Sequence, residues 1–300
     1  MSSYYRRTRQ RDAVQAYIFV APVLILLTVF AIVPIIYAVA ISFRSWSYYY
    51  ESAYVRFDNY LVVLKDPIFR QTILNAFRYL IYVIPAQFVI CFFLANLIYR
   101  LPARGAALAK TTIYVPTIVS GVIASLVFTL IYHYTGGLAN YLMKLLGVGR
   151  IAWTNDPGFS MLTVAIPSIW LGIGVVTLIM LAGLNDIPST YFEAASLDGA
   201  TALQQFRHIT VPMISPALFF VLIMRTMNAV RQFDLSFMIA NDRQPGFRNV
   251  QTLLYQFYRE TFIKLNANYG ASIVLWTVMI ILFITAFQFF MEKRWVNYDA

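Results

Sequence analysis

An all-helical polytopic membrane protein with six spanning helices is the fold class this sequence predicts. Of its 300 residues, 60% are hydrophobic and only 12% are charged, about half the charged share of an ordinary soluble domain. Mean hydropathy is positive. Residues 13–43, 79–99, 111–143, 157–185 and 265–291 contain no Asp, Glu, Lys or Arg. Each stretch is long enough for the roughly 20 apolar residues that cross about 30 Å of hydrocarbon.

The first span is placed at 17–43. It follows Arg6, Arg7, Arg9 and Arg11 and contains Pro22 and Pro34, with no A-x-A-like cleavage site behind it. It is therefore expected to stay as a helix rather than be removed as a signal. Spans two, three and four are placed at 75–99, 111–132 and 160–182, and Pro34, Pro85, Pro116 and Pro167 are expected to kink their helices. The fifth span, 212–239, holds Arg225, Arg231 and Asp234. An Arg at the centre of a lipid-facing helix costs about 3 kcal/mol even on insertion scales, so this polar face must point at protein or water. Span six is placed at 270–291. The connectors, among them the Tyr-rich "SWSYYYESAY" and the amphipathic "GGLANYLMKLLGVG", are too short for a separate domain, so the chain reads as one transmembrane domain over 1–300.

A net charge of +10 is accounted for by Lys and Arg at span ends, and nucleic acid is not an expected partner. The Arg-rich start and the group Arg100, Arg104 and Lys110 place both segments in the cytoplasm under the positive-inside rule. Six spans then bring both termini, and the connector between spans four and five, to the same side. The loops at 44–71, 132–156 and 240–264 carry a comparable number of basic residues, so the asymmetry is small. Cys91 is the single cysteine, which excludes a disulfide within the chain. His133 and His208 have no helical His or Glu partner, and no metal site is expected.

The connector "IPSTYFEAASLDGATALQQFRHITVP" is polar and rich in small residues. Thr190 and Glu193 have the spacing of a capping box, Ala194, Ala195 and Leu197 favour helix, and Gly199 supplies a left-handed residue to end it. Thr201 and Gln204 repeat the capping spacing, so a second short helix is expected to about His208, before Thr210 and Pro212 open the next span. Ala194, Leu197, Leu203 and Phe206 would pack on the membrane domain or on a partner. Read from its residues, this helix–turn–helix is either an interfacial connector or a docking element.

One resemblance is specific. Glu193, Ala194 and Ala195, then Asp198, Gly199 and Ala200, with Phe206, Ile209 and Pro212 following, resemble the EAA loop of binding-protein-dependent ABC importer permeases. The one departure is Val211 where that pattern carries leucine. Phe233, Asp234, Pro245, Thr252, Leu253, Tyr255, Phe262, Tyr269 and Gly270 fall in the order typical of the carbohydrate-uptake branch, the maltose and glycerol-phosphate type, although "NDRQPG" stands where a glycine pair is usual. With "FVAPVLILL" of the first span, the resemblance covers nearly the whole chain.

That resemblance implies the six-helix type I importer permease (MetI-like) fold and an ATP-driven importer of a sugar, oligosaccharide or related polar solute in a bacterial inner membrane. The segment 187–211 would be a cytoplasmic coupling loop. Glu193 would contact an ATPase, Gly199 would form its turn, Ala194 and Ala195 would allow close approach, and Asp198, Ala200 and Phe206 would complete it. The implied partners are a second, homologous permease subunit, two ABC ATPase subunits, an extracytoplasmic solute-binding protein and the lipid bilayer. The chain has no G-x-x-x-x-G-K-[ST] phosphate loop. It is therefore expected to bind no cofactor itself and to be no enzyme, with ATP and Mg bound by the partner ATPase.

Transporter sites tend to lie near the bilayer midplane, where polar groups face a cavity. Ser120 in span three, Ser168 and Gly172 in span four, and Arg225, Asn228 and Gln232 in span five are the pathway candidates, with Thr117, Gly121 and Trp170 nearby. On an ideal helix Arg225, Asn228 and Gln232 lie within about 60° of one another. Structural readings stand beside this one: Arg231 and Asp234 have the spacing of an i, i+3 ion pair, and Ser168 and Gly172 are small enough to let helices approach. The same polar face would also suit a secondary transporter driven by an ion gradient. An integral-membrane enzyme would need converging nucleophiles, acids or metal ligands that this composition does not offer.

Overall fold

The computed structural model describes residues 2–45, 52–240 and 245–298, the first of these through residue 14 by backbone alone. Most of "SWSYYYESAY" and the "NDRQ" of the carbohydrate-branch loop lie outside the described residues. The described residues are helical, apart from connectors and one isolated bridge between Arg44 and Tyr54.

In chain order, α1 (Ser2–Leu27) passes through a π turn into α2 (Val33–Ser42). Then come α3 (Asp58–Lys65), α4 (Pro67–Tyr99), α5 (Ala103–Ile118), α6 (Gly121–Ile131), α7 (Leu138–Leu145) and α8 (Ser160–Asn185). The connector forms α9 (Ser189–Leu197) and α10 (Ala202–Gln205), and a π turn leads to α11 (Val211–Met213). The chain closes with α12 (Ser215–Val230), α13 (Asp234–Ile239), α14 (Leu253–Tyr258) and α15 (Ala267–Glu292). Among the described residues four helices are long and apolar enough to cross a membrane, Gln15–Ser42, Pro67–Tyr99, Ser160–Asn185 and Ala267–Glu292, and two bent pairs make six if each is one broken span.

The sequence reading needs four corrections. Helix α4 starts at Pro67, well before 75, because Asp66 caps it: its carboxylate accepts the Ile68 N–H at 2.8 Å, with proline at the first helical position. The third span is not a kinked helix but two helices meeting at 92°. Val119 and Ser120 are extended, and the Ser120 hydroxyl caps the new helix at Gly121 by accepting the Ile123 N–H at 3.4 Å. The fifth span ends at Val230, and residues 231–233 separate it from the short α13. Lastly, α11 continues the connector's second helix beyond His208 and bends by 61° into α12. Neither Pro212 nor Pro216 can donate a helical hydrogen bond, and Ser215 Oγ takes the freed Pro212 carbonyl at 2.6 Å.

The fold divides into two compact units. The first comprises Met1–Val63 and Tyr258–Leu275. Here the orphan carbonyls at the end of α2 are taken by amide side chains. Asn59 donates to Ser42 O and Arg44 O at 2.8 and 2.9 Å, and Asn268 donates to Ile41 O and Arg44 O at 3.1 and 3.0 Å. Glu260 is buried and pairs with Arg259 and Lys264 at 3.1 and 2.9 Å.

The second unit comprises Leu64–Phe257 and Trp276–Ala300. Its centre is α4 against α8. Tyr79, Val83, Gln87, Cys91 and Ala95 are all buried, a stripe at four-residue spacing along one face of α4. One apolar cluster gathers Tyr79, Val83, Val164 and Ala229 with Trp153, Phe247 and Tyr255; a second gathers Cys91, Ala95, Val176, Met180, Ile214 and Val221. Between these clusters α4 carries Gln87, α8 carries Ser168 and Gly172, and α12 carries Arg225.

Candidate functional site

Gln87 of α4, Ser168 and Gly172 of α8 and Arg225 of α12 form this polar layer. Arg225 Nε donates to Gln87 Oε1 at 2.7 Å, and Arg225 Nη2 reaches the Ser168 carbonyl at 3.4 Å. Gln87, fully buried, uses its amide nitrogen on the carbonyls of Ser168 and Ile169 at 3.4 and 3.2 Å. Thr117 of α5 donates to Leu171 O at 3.2 Å. Side chains of three helices thus hydrogen-bond carbonyls in the middle of α8.

Gly172 makes room for this arrangement. A Cβ there would fall 2.2 Å from Gln87 Nε2 and 2.9 Å from Arg225 Nη2. Both are ends of flexible side chains, so Gly172→Ala is expected to fold at a cost of about 1–3 kcal/mol. Thermal unfolding of the purified protein in detergent checks this, and the Arg225–Gln87 hydrogen bond should be displaced.

A cavity of about 180 Å³ opens at the layer, lined by Tyr79, Val83, Ser168, Leu171, Gly172, Arg225, Asn228, Ala229 and Gln232. Five of the six pathway candidates, Ser168, Gly172, Arg225, Asn228 and Gln232, are therefore brought together. Ser120 is not among them, because its hydroxyl caps α6. Tyr79 and Gln87 were missed. Their signal was the α4 stripe, in which Gln87 is a lone amide among apolar neighbours.

Arg231 and Asp234 do not pair. Arg231 turns to Met227 O and Asn228 Oδ1 at 3.4 and 3.5 Å, while the Asp234 carboxylate lies against Gly121 at the start of α6. The break after Val230 separates the two side chains. Trp170 packs edge-on against Phe128.

The connector between α8 and α12 is the second feature. Pro188, not Thr190, is the N-cap of α9, without a side-chain bond. The expected Thr190–Glu193 box does not form, because the helix starts at Ser189 and Thr190 is already inside it. Gly199 has φ +76°. Its N–H bonds Ser196 O at 3.1 Å and the Ala200 N–H bonds Ala195 O at 2.9 Å, the paired bonds of a Schellman ending. The Thr201–Gln204 capping box is present. Gln205 Nε2 donates to Ser196 Oγ at 3.0 Å across the turn, and His208 Nδ1 lies 3.0 Å from Gln204 O.

Phe206 packs on Phe92 with ring centroids 5.3 Å apart, tying the connector to α4. Glu193, Ala194 and Asp198 are exposed. Leu197 is 90% and Leu203 74% exposed. Two large apolar side chains so open, on a connector fixed by internal hydrogen bonds, leave a face that this chain does not cover.

A family model described as "Binding-protein-dependent transport system inner membrane component" matches residues 106–297. The chain is 30% identical to the probable ABC transporter permease protein YesP of Bacillus subtilis, over 98% of this chain and 95% of that protein. It is 29% identical to the sulfoquinovosyl glycerol transport system permease protein SmoG of Agrobacterium fabrum, over 88% and 85%. Among solved structures it resembles a chain of a bacterial ABC transporter involved in the import of the acidic polysaccharide alginate, with a TM-score of 0.84, 20% identity, and coverage of 98% of this chain and 100% of that one. At that identity the likeness speaks for the fold.

Proposed function

The chain belongs to the family of binding-protein-dependent transport system inner membrane components, and from that premise we propose that it moves a sugar or oligosaccharide inward through the polar layer of α4, α8 and α12. The observation that carries this reading is that the connector joins two walls of one cavity. Helix α9 follows α8, and α10 and α11 run into α12; α8 brings Ser168 and Gly172 to the cavity, and α12 brings Arg225 and Asn228. A push on the connector reaches both walls through covalent backbone.

The push comes from a separate ATPase, which binds ATP and Mg. Glu193, Leu197 and Leu203 meet it on the exposed connector face. Ala194 and Ala195 keep that face low, while Gly199, Asp198, Ala200 and Phe206 hold its shape. Two ATPase subunits, a second homologous permease and an extracytoplasmic solute-binding protein complete the assembly, with both termini and the connector in the cytoplasm. The carbohydrate reading is supported by SmoG and by the order of residues from Phe233 to Gly270.

Crosslinking tests the reading. With Cys91→Ser removing the native thiol, Leu197→Cys is expected to form a disulfide with a cysteine placed in a surface cleft of the ATPase, and ATP is expected to change its yield. Labelling of Leu197→Cys only from outside sealed cells, or no crosslink to any ATPase cysteine in the assembled transporter, would overturn the docking role.

A further inference from the structure

The cavity carries a positive charge that none of the described residues neutralises. Among the described residues the ion pairs are those of Glu260 with Arg259 and Lys264, and none involves Arg225. Its partners, Gln87 Oε1 and Ser168 O, are neutral oxygens. A guanidinium keeps its charge inside proteins and has five donors to place. Gln87 holds the Nε edge, and the Nη edge has only the long bond to Ser168 O.

A further donor on the same wall lacks an acceptor. Gln232 Nε2 has no hydrogen-bond partner, while its amide oxygen accepts from Ser236 Oγ at 2.8 Å; the buried Tyr79 hydroxyl has the Ser168 side chain beside it. Native interiors rarely leave such groups unsatisfied. One cation and one idle donor beside a space of about 180 Å³ call for an acceptor-rich anion. That space exceeds many times the roughly 10–15 Å³ that one water needs.

We propose that the cavity selects an acidic sugar, whose anionic group sits on Arg225 while Gln232 donates to its oxygens. Gln87 acts as a positioning residue, turning the Nη edge of Arg225 to the solute, where a planar fork can meet two oxygens of one anion. Gly172 keeps the space that both side chains occupy. The proposal rests on the reading that this cavity lies on the solute path. Its charge is measurable without knowing the natural solute.

Asn228→Cys in a Cys91→Ser background puts a thiol on the cavity wall one helical turn from Arg225, with about 5–6 Å between Cβ atoms. In the purified complete transporter it is reacted with an anionic sulfonatoethyl and a cationic trimethylammonioethyl methanethiosulfonate. Either reaction joins the thiol sulfur to the reagent as a disulfide and releases methanesulfinate. Normalised to a free thiol, the anionic reagent is expected to react about tenfold faster than the cationic one at low salt. Arg225→Gln should abolish the preference and Arg225→Lys should keep it. Galacturonate should slow the labelling and galactose should not.

Equal rates, a cationic preference, a ratio unmoved by Arg225→Gln, or equal protection by both sugars would overturn charge selection and leave the pathway intact. If neither reagent reaches the thiol, the solute path lies elsewhere and both readings fall.

Discussion

Glu193→Lys leaves the protein inserted and folded but reduces ATP-driven uptake at least tenfold. Glu193 is exposed, and among the described residues it makes no hydrogen bond or ion pair within the chain. Lysine is as good a helix former as glutamate, so α9 keeps its shape. The Schellman ending at Gly199 and the Thr201–Gln204 box do not involve the side chain at 193. On the proposed docking role, the whole effect arises at the surface that would face the ATPase.

There, loss of one member of a buried charge pair costs about 2–5 kcal/mol, and reversal adds repulsion. At about 1.4 kcal/mol per tenfold, docking weakens by at least about 30-fold. The amount of permease in the membrane and its elution in detergent measure folding; uptake and ATPase stimulation by the loaded binding protein measure coupling. Undiminished uptake would show that Glu193 makes no such contact. Glu193→Gln should lie between, since it keeps a hydrogen-bonding group and drops the charge.

Charge-free runs revealed four unbroken helices because hydrocarbon thickness acts on each stretch by itself. The bends were hidden for a related reason. Hydropathy counts apolar residues and is blind to whether Val119 and Ser120 turn the chain through 92°. Pro116 and the Ser120–Gly121 pair were visible, but only tertiary packing decides between a kink and a corner. In the connector, Gly199 was legible because positive φ is a property of the local backbone. The Thr190–Glu193 box misled because the same spacing occurs wherever a helix starts one residue earlier. On α12 the polar face was legible from helical periodicity, and its partner Gln87 was not. That hydrogen bond joins residues 138 positions apart, and only the α4 stripe hinted at the contact.

Gly174→Ala should be far more damaging than Gly172→Ala two residues before it. A Cβ at Gly174 would stand 2.6 Å from Ile113 O, 2.7 Å from Thr117 Oγ1 and 2.9 Å from Tyr114 Cα. Two of these atoms are backbone of α5, which rotation of a side chain cannot move. The helix as a whole must shift, yet Ala106, Ala109 and Ile113 pack into the second apolar cluster and Thr117 bonds Leu171 O.

Within a bilayer there is little hydrophobic drive between helices, and close approach at small residues is what holds a pair together. Overpacking costs about 1–3 kcal/mol where side chains can yield, and more where they cannot. Gly174→Ala is therefore expected to lower the thermal transition of the detergent-purified protein further than Gly172→Ala and to reduce its folded yield several-fold. Thr117→Ala in the same chain should not restore it, because Ile113 O and Tyr114 Cα remain in place. Gln87→Ala should relieve the clash at Gly172, where Gln87 Nε2 is the nearest atom to the added methyl. Equal tolerance of alanine at both positions would mean that α5 and α8 do not approach at Gly174 as closely as this packing requires.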